Sequence, residues 1–475
     1  MQQKHERKYT PHAHTEREEA LTNDPPGVSL REFTASTPGD VGKIVSLLRN
    51  ETTSGAAPPL FEAVAEILRS VQSGGNHSLL ELSRKYDRTS FSDAKELFAT
   101  KAEMEAAASR LNSQQLGALK KAYAQIRFLA RMQMKERFMA RKFKTPLGFI
   151  VRESYSPLRR IGGYIPGGLA SYPSTVLMIC GPAREAGVKD IVLSTPPRRD
   201  GTVNDATLAA ALICGVKEVV KLGGAQAIAA LAYGTESIKK VDLIAGPGNQ
   251  YVTEAKKQVS SLVSIDALAG PTELLIISDR YSDPRIIFED IISQAEHGNR
   301  TLCGVVTDSE DLIRAFKKIL REESCGRKRI EQIAQASIFT VKTQNLDQAY
   351  EFAQALAPEH LEVQVAVAKQ RKQPPIGRLS NSGLVLLGKY APCSATDYVV
   401  GTNHILPTGG LAFRSEGVSV GTFLKRVTVV ESDRSSLRRS LKTLAVLAEM
   451  EGLPNHHEAA RSRFNAPRKE VDPKR

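Results

Sequence analysis

The chain has 475 residues, 41% hydrophobic and 25% charged, with a formal net charge of +13. This is an ordinary globular composition, and at roughly 100–200 residues per domain it makes room for two or more domains. No apolar run approaches the ~20 residues that cross a bilayer. Cys180, Cys214, Cys303, Cys325 and Cys393 include no Cys-x-x-Cys pair, which argues against a disulfide framework or thiolate zinc site and fits a reducing cytoplasm.

Residues 1–40 are polar, with His5, His12 and His14 among mixed charges. They read as a mobile tail, too acidic for a transit peptide and without the apolar core of a secretory signal. From about Leu60 to Phe143 the apolar spacing is helical; Leu119, Tyr123, Ile126 and Ala130 form one stripe. Within it, Lys120, Lys121, Arg127, Arg131, Lys135, Arg137, Arg141, Lys142 and Lys144 face only Glu136. This reads as a solvated basic face rather than a nucleic-acid surface, because no recognised nucleic-acid motif accompanies it. Short apolar runs then begin at Asp190, Glu218, Val241 and Glu273, most followed by a turn and a helical stretch. Strands alternating with helices predict parallel sheets wrapped on both faces. A last helix, about Ser435 to Glu451, stops at Gly452 with Pro454 beyond.

Leu222-Gly-Gly-Ala-Gln226 and Ala245-Gly-Pro-Gly-Asn249 each join a predicted strand to a helix. Such turns aim backbone N–H groups at whatever binds there, and a pyrophosphate would suit. Neither has the full Gly-x-Gly-x-x-Gly spacing, so tight structural turns explain them equally well. Ile161-Gly-Gly-Tyr-Ile-Pro-Gly-Gly168 is a third glycine-rich segment, in which Tyr164 could cover a flat cofactor ring.

Four C-terminal segments pair histidine with an acid or amide, the groups of metal ligation and neutral-pH proton transfer. On a helix opened by Asp283-Pro284, Ile287, Ile291 and Gln294 share a stripe, with His297 a turn beyond. Gln294 and His297 could be metal ligands, with Asp397 and His456 completing an N/O set suited to zinc, manganese or cobalt. Spacing alone favours the plainer alternative, a hydrogen-bonded amide and a capping histidine. Glu359-His360, after Pro358, could divide two proton transfers between them; from the segment alone, a surface acid beside a structural histidine is the simpler reading.

Together these segments resemble histidinol dehydrogenase. The resemblance runs from about Ala63 to His456, through Gly163-Tyr-Ile-Pro-Gly-Gly168, Gly223 to Glu236, Gly246-Pro-Gly-Asn249, Ala269-Gly-Pro-Thr-Glu273, Gln294-Ala-Glu-His-Gly298, Ala357-Pro-Glu-His-Leu361, Asp397-Tyr398 and Gly401 to Thr408. It implies zinc-dependent oxidation of L-histidinol through the aldehyde to L-histidine with two NAD+, the last steps of histidine biosynthesis. The implied zinc ligands are Gln294, His297, Asp397 and His456, and the acid–base residues Glu359 and His360. Implied NAD contacts are Tyr164, Gln226 and Asn249. Substrate contacts are Thr272, His404 and Glu451, with His360 and the zinc ligands.

The resemblance further implies an α/β fold of two Rossmann-like parallel-sheet domains with helical N- and C-terminal segments. Residues 41–166 with 272–417 would form one domain and 167–271 the NAD-contacting one. Residues 418–475 would complete the site of a partner in a cytoplasmic homodimer. Departures from the family pattern are Thr272 for serine, Thr396 for glycine, Cys393 for a carboxylate and Asn76 for aspartate.

Overall fold

The computed structural model describes residues 28–52, 58–167, 171–268, 270–298, 300–365 and 376–465. Most of the expected polar tail, residues 1–27, lies outside them, as do Gly168 and Ala269. Two parallel sheets organise the chain. The six-stranded one runs Leu30–Thr34, Ser337–Lys342, Leu302–Thr307, Glu273–Ser278, His360–Gln364, Leu384–Leu387. The five-stranded one runs Glu218–Val220, Asp190–Ser194, Arg160–Tyr164, Leu243–Ala245, Ser264–Ile265. A third, antiparallel sheet joins Leu424–Glu431, Ile150–Pro157 and Arg141–Lys144.

Parallel strands covered on both faces are apolar along their length, and residues two apart share a face. On the six-stranded sheet, Leu275, Ile277, Val306, Phe339 and Leu361 pack with Leu48, Phe352 and Ala353 from helices Pro38–Thr52 and Leu346–Leu356. On its other face Leu274, Ile276, Cys303, Val305 and Ile338 meet Ile287, Ile291 and Phe316 of helices Pro284–Ala295 and Glu310–Glu323. The five-stranded sheet is covered on one side by helices Ser113–Arg137, Pro173–Ala186 and Asp205–Ile213, and on the other by Pro58–Leu82, Gly224–Tyr233 and Gln250–Val259.

Three sequence expectations differ from this arrangement. Leu30–Thr34, placed in the tail, is an edge strand paired with Ser337–Lys342. Arg141–Lys144, read as helix, pairs with Ile150–Pro157, the helix having ended at Arg137. Strand Arg160–Tyr164 and helices Pro58–Leu82 and Ser113–Arg137, expected with the larger domain, pack with the five-stranded sheet. A helical stripe states that a face is buried, not which sheet covers it. The basic face of Ser113–Arg137 is partly neutralised, since Arg127 and Arg131 pair with Glu185 at 2.6 and 3.2 Å. Among the described residues no helix is long and apolar enough to cross a membrane.

Candidate active site

Ala357, at φ 50°, ends helix Leu346–Leu356 in the left-handed region and turns the chain into Pro358, Glu359 and the strand His360–Gln364. Gly383 lets the next strand approach; a Cβ there would lie 2.7 Å from the Glu359 carbonyl oxygen. Glu359 and His360 are 5% and 2% exposed. Glu359 Oε2 accepts the N–H of Glu273 at 2.9 Å and lies 3.6 Å from His360 Nδ1. The Glu273 carbonyl lies 3.3 Å from Nδ1. These contacts use one side of the ring, and Nε2 is buried without a hydrogen-bond partner among the described residues. Burial opposes the imidazolium, but the Glu359 carboxylate and then Cys393 raise the His360 pKa well above its ordinary value.

Glu273 is itself anchored. Its carboxylate receives Arg49 of helix Pro38–Thr52 at 2.5 and 3.1 Å, the Gly409 N–H at 2.8 Å and the Glu359 N–H at 3.3 Å.

Beside His360 stand side chains that could hold a metal ion. One ligand atom each of His360, Cys393 and Asp397 lies within 4.8 Å of the others. Gln294, 3% exposed on its helix, reaches Asp397 Oδ2 through Nε2 at 3.5 Å. His404 Nδ1 is 3.9 Å from Asp397 Oδ1, and its Nε2 is 3.4 Å from Thr175 Oγ1. Burial lowers the His404 pKa. The structure thus brings Gln294, Asp397, His404, Glu359 and His360 into one neighbourhood. His297 is exposed a turn past Gln294, where its N–H donates to the Gln294 carbonyl at 3.1 Å. Thr272 is partly buried and immediately precedes Glu273. Glu451 and His456 are exposed on the C-terminal helical hairpin, Arg434–Met450 and Pro454–Asn465, outside the three-donor cluster.

The glycine turns lie at the carboxyl ends of the five-stranded sheet, whereas Glu359 and His360 lie at the amino end of a strand of the six-stranded one. Protein groups already engage several turn amides. Asp266 Oδ2 accepts the Gly246 N–H at 2.7 Å, and Lys256 holds Asp266 and the Gly246 carbonyl. Asp87 Oδ2 lies 3.4 Å from the Gly223 N and 3.3 Å from Gln226 Nε2. The Gly224 N–H donates to Tyr164 Oη at 3.1 Å. Tyr164 and Gln226 are 3% and 2% exposed, so neither is presented as an open surface; Asn249 is exposed and caps its helix through Oδ1. Asp87 and Asp266 could not be paired with these turns by sequence, because each arrives from another segment.

Gln294 and Asp397 fit a shared hard cation. Both are held largely out of water, carry oxygen donors, and have only a long contact between them.

A buried carboxylate–imidazole pair beside the S and O donors of Cys393 and Asp397, between two wrapped parallel sheets, gives this α/β fold side chains that could move protons and hold a metal ion, as an enzyme site requires. Residues 51–464 match the family model described as histidinol dehydrogenase. The histidinol dehydrogenase of Methanosarcina mazei is 40% identical over 405 residues, covering 85% of this chain and 92% of that relative. That of Methanocaldococcus jannaschii is 38% identical over 439 residues, covering 92% and 99%. The crystal structure of histidinol dehydrogenase from Elizabethkingia anophelis superposes with a TM-score of 0.84 at 30% identity, over 91% of this chain and 98% of that one. The chain belongs to the histidinol dehydrogenase family, oxidoreductases of histidine biosynthesis that act on an alcohol carbon.

Proposed function

We propose that this chain catalyses the zinc-dependent, four-electron oxidation of L-histidinol through the aldehyde to L-histidine with two NAD+. The observation that carries this reading is the buried Glu359–His360 dyad, with Nε2 lacking a hydrogen-bond partner among the described residues, beside Asp397 and Gln294. Gln294, His297, Asp397 and His456 would hold zinc. Thr272, His404 and Glu451, with His360, would contact substrate, and Tyr164, Gln226 and Asn249 would contact NAD+. When bound, zinc supplies an anchor for substrate nitrogens, and NAD+ supplies the hydride acceptor.

The chain's own groups then do the following. His360, in its neutral form with the Glu273 carbonyl at Nδ1, takes the alcohol proton at Nε2, and the Glu359 carboxylate that raises its pKa stabilises the imidazolium formed. Glu359 deprotonates a water that attacks the aldehyde carbon. The resulting gem-diol gives a proton to His360 as the second oxidation proceeds. Each proton transfer is worth about 10²–10⁴ in rate. Holding both groups against one bound substrate keeps the reactive aldehyde from diffusing away.

The active unit would be a cytoplasmic homodimer in which Glu451 and His456 complete the partner's site. In support, Val427, Val429 and Val430 of strand Leu424–Glu431 are 37–58% exposed, and Val446, Leu447 and Met450 on the adjoining helix are 51–77% exposed. Apolar exposure of this kind suits a partner rather than water.

The test is to incubate zinc-loaded protein with L-histidinol and NAD+ and quantify both products. Two NADH per histidine is expected. Turnover of another small polar alcohol in place of histidinol would overturn the substrate, a relevant control because Cys393 and Thr396 depart from the family pattern next to Asp397.

A further inference from the structure

Strand His360–Gln364 is buried along its whole length. Its register pairs His360 with Leu274 and Glu362 with Ile276, and both leucine and isoleucine face helix Pro284–Ala295. With a two-residue period, His360, Glu362 and Gln364 therefore present one polar row to that helix. On the helix, Asp290 and Gln294 are one turn apart and share a side.

The two rows are joined. Gln364 Nε2 donates to Asp290 Oδ2 and to Glu362 Oε2, each at 2.8 Å. Glu362 Oε1 accepts the N–H of Cys393 at 2.8 Å. Cys393 opens the short helix Cys393–Tyr398, which carries Asp397. The same helix Pro284–Ala295 thus bears both Asp290, tied to this junction, and Gln294, which meets Asp397 at 3.5 Å.

Asp290 and Glu362 are 8% and 1% exposed. Among the described residues no lysine or arginine ion pair neutralises either; one amide nitrogen, Gln364 Nε2, bonds to both carboxylates, and Glu362 also accepts the Cys393 N–H. Two bare carboxylates so placed repel, and a single proton between them removes the conflict and leaves one negative charge. Burial, then the charge of Asp290, pushes the Glu362 pKa up to about 8, and burial raises Asp290 as well.

We propose that Asp290 and Glu362 share one proton and act as a positioning pair that fixes Gln294 and Asp397 for the metal. The inference rests on the zinc-dependent reading above. Neither residue is a ligand. The pair holds the strand of His360, the helix of Gln294 and the helix of Asp397 in one arrangement, and its remaining negative charge favours a nearby cation.

The test is a chelator-competition titration of zinc on wild type, Asp290→Asn, Glu362→Gln and the double variant, with thermal melts of the zinc-free proteins in parallel. Each single amide mimics the protonated partner, so both singles are expected to bind zinc as wild type does. The double variant keeps the volume but loses the charge, and its zinc affinity is expected to fall roughly 10–100-fold. A single amide as damaging as the double overturns the shared proton. A double variant that holds zinc as wild type does overturns the positioning role. If the double variant does not fold, either single losing zinc tenfold or more overturns the proposal, and wild-type affinity in both supports it. A wild-type protein that binds no zinc overturns the metal reading itself, a result separable from the others.

Discussion

Glu273 and Glu359 clasp each other through main chain and side chain: the N–H of each donates to a carboxylate oxygen of the other, at 2.9 and 3.3 Å. Arg49 closes the clasp from the N-terminal helix. The orientation of Glu359 therefore depends on a salt bridge whose side chains are 13% and 2% exposed. Removing one partner of a buried pair costs about 3–5 kcal/mol. Arg49→Ala and Glu273→Gln should each lose about that much in chemical denaturation, and the double variant should lose less than their sum. Additive losses would mean that the two residues act independently.

Substitution of the dyad should separate the two oxidations. His360→Asn is expected to lower histidinol oxidation by about 10²–10⁴ while leaving zinc content unchanged. Glu359→Gln should preserve the first oxidation and impair the second, giving close to one NADH per substrate and released aldehyde. NADH counting with aldehyde trapping checks this, and zinc loss from His360→Asn would make His360 a ligand instead.

Metal removal has a matching expectation. Dialysis against a chelator should abolish turnover, and added zinc should restore it. Asp397→Asn should lower zinc affinity without altering the circular dichroism of the zinc-free protein. An unchanged chelator titration for this variant would remove Asp397 from the ligand set.

The proposed sharing of sites between two chains makes a sharper forecast. Mixtures of His360→Asn and His456→Asn chains, unfolded and refolded together, should regain activity, because one site of each mixed dimer has intact copies of both residues. If chains assort at random in a closed twofold dimer, recovery should approach about a quarter of wild type. No recovery from demonstrably mixed dimers would place His456 in its own chain's site.

Asp87 gives the pH test. Burial raises its pKa from 3.8 to about 6, against the Gly223 N–H and Gln226 bonds that favour the carboxylate. The folded state therefore holds its proton more tightly than the unfolded chain. Stability contributed by this group is present below about pH 4 and is lost as pH rises to about 6, an effect of about 3 kcal/mol at most. Asp87→Asn should thus gain stability relative to wild type across that window and keep the gain at neutral pH. Urea midpoints at several pH values measure it; a constant difference would show that Asp87 does not titrate there.

Local patterns were legible where a single segment carried its own reason. Asp283-Pro284 starts a helix because the Asp283 side chain accepts the Arg285 N–H at 2.9 Å, as such a pair does at any helix start. The polar alternation His360, Glu362, Gln364 was also written in the chain, yet its meaning was not. In this strand, which the structure buries along its whole length, every second residue is polar, and that regularity could have flagged a buried network. Glu273 and Arg49 gave no such sign. Each looks like an ordinary charge, and 224 positions separate them.

By itself the sequence determined the alternation of strands and helices, the order of the motifs that mark the family, and the residue types able to ligate a metal and move protons. These depend on neighbours along the chain, where spacing fixes direction. Tertiary structure alone decided that Arg49 reaches Glu273, that Asp87 and Asp266 occupy the glycine turns, and that Gln294 meets Asp397. Such pairings join residues whose separation along the chain says nothing of their separation in space; packing the two sheets and their helices brings them together.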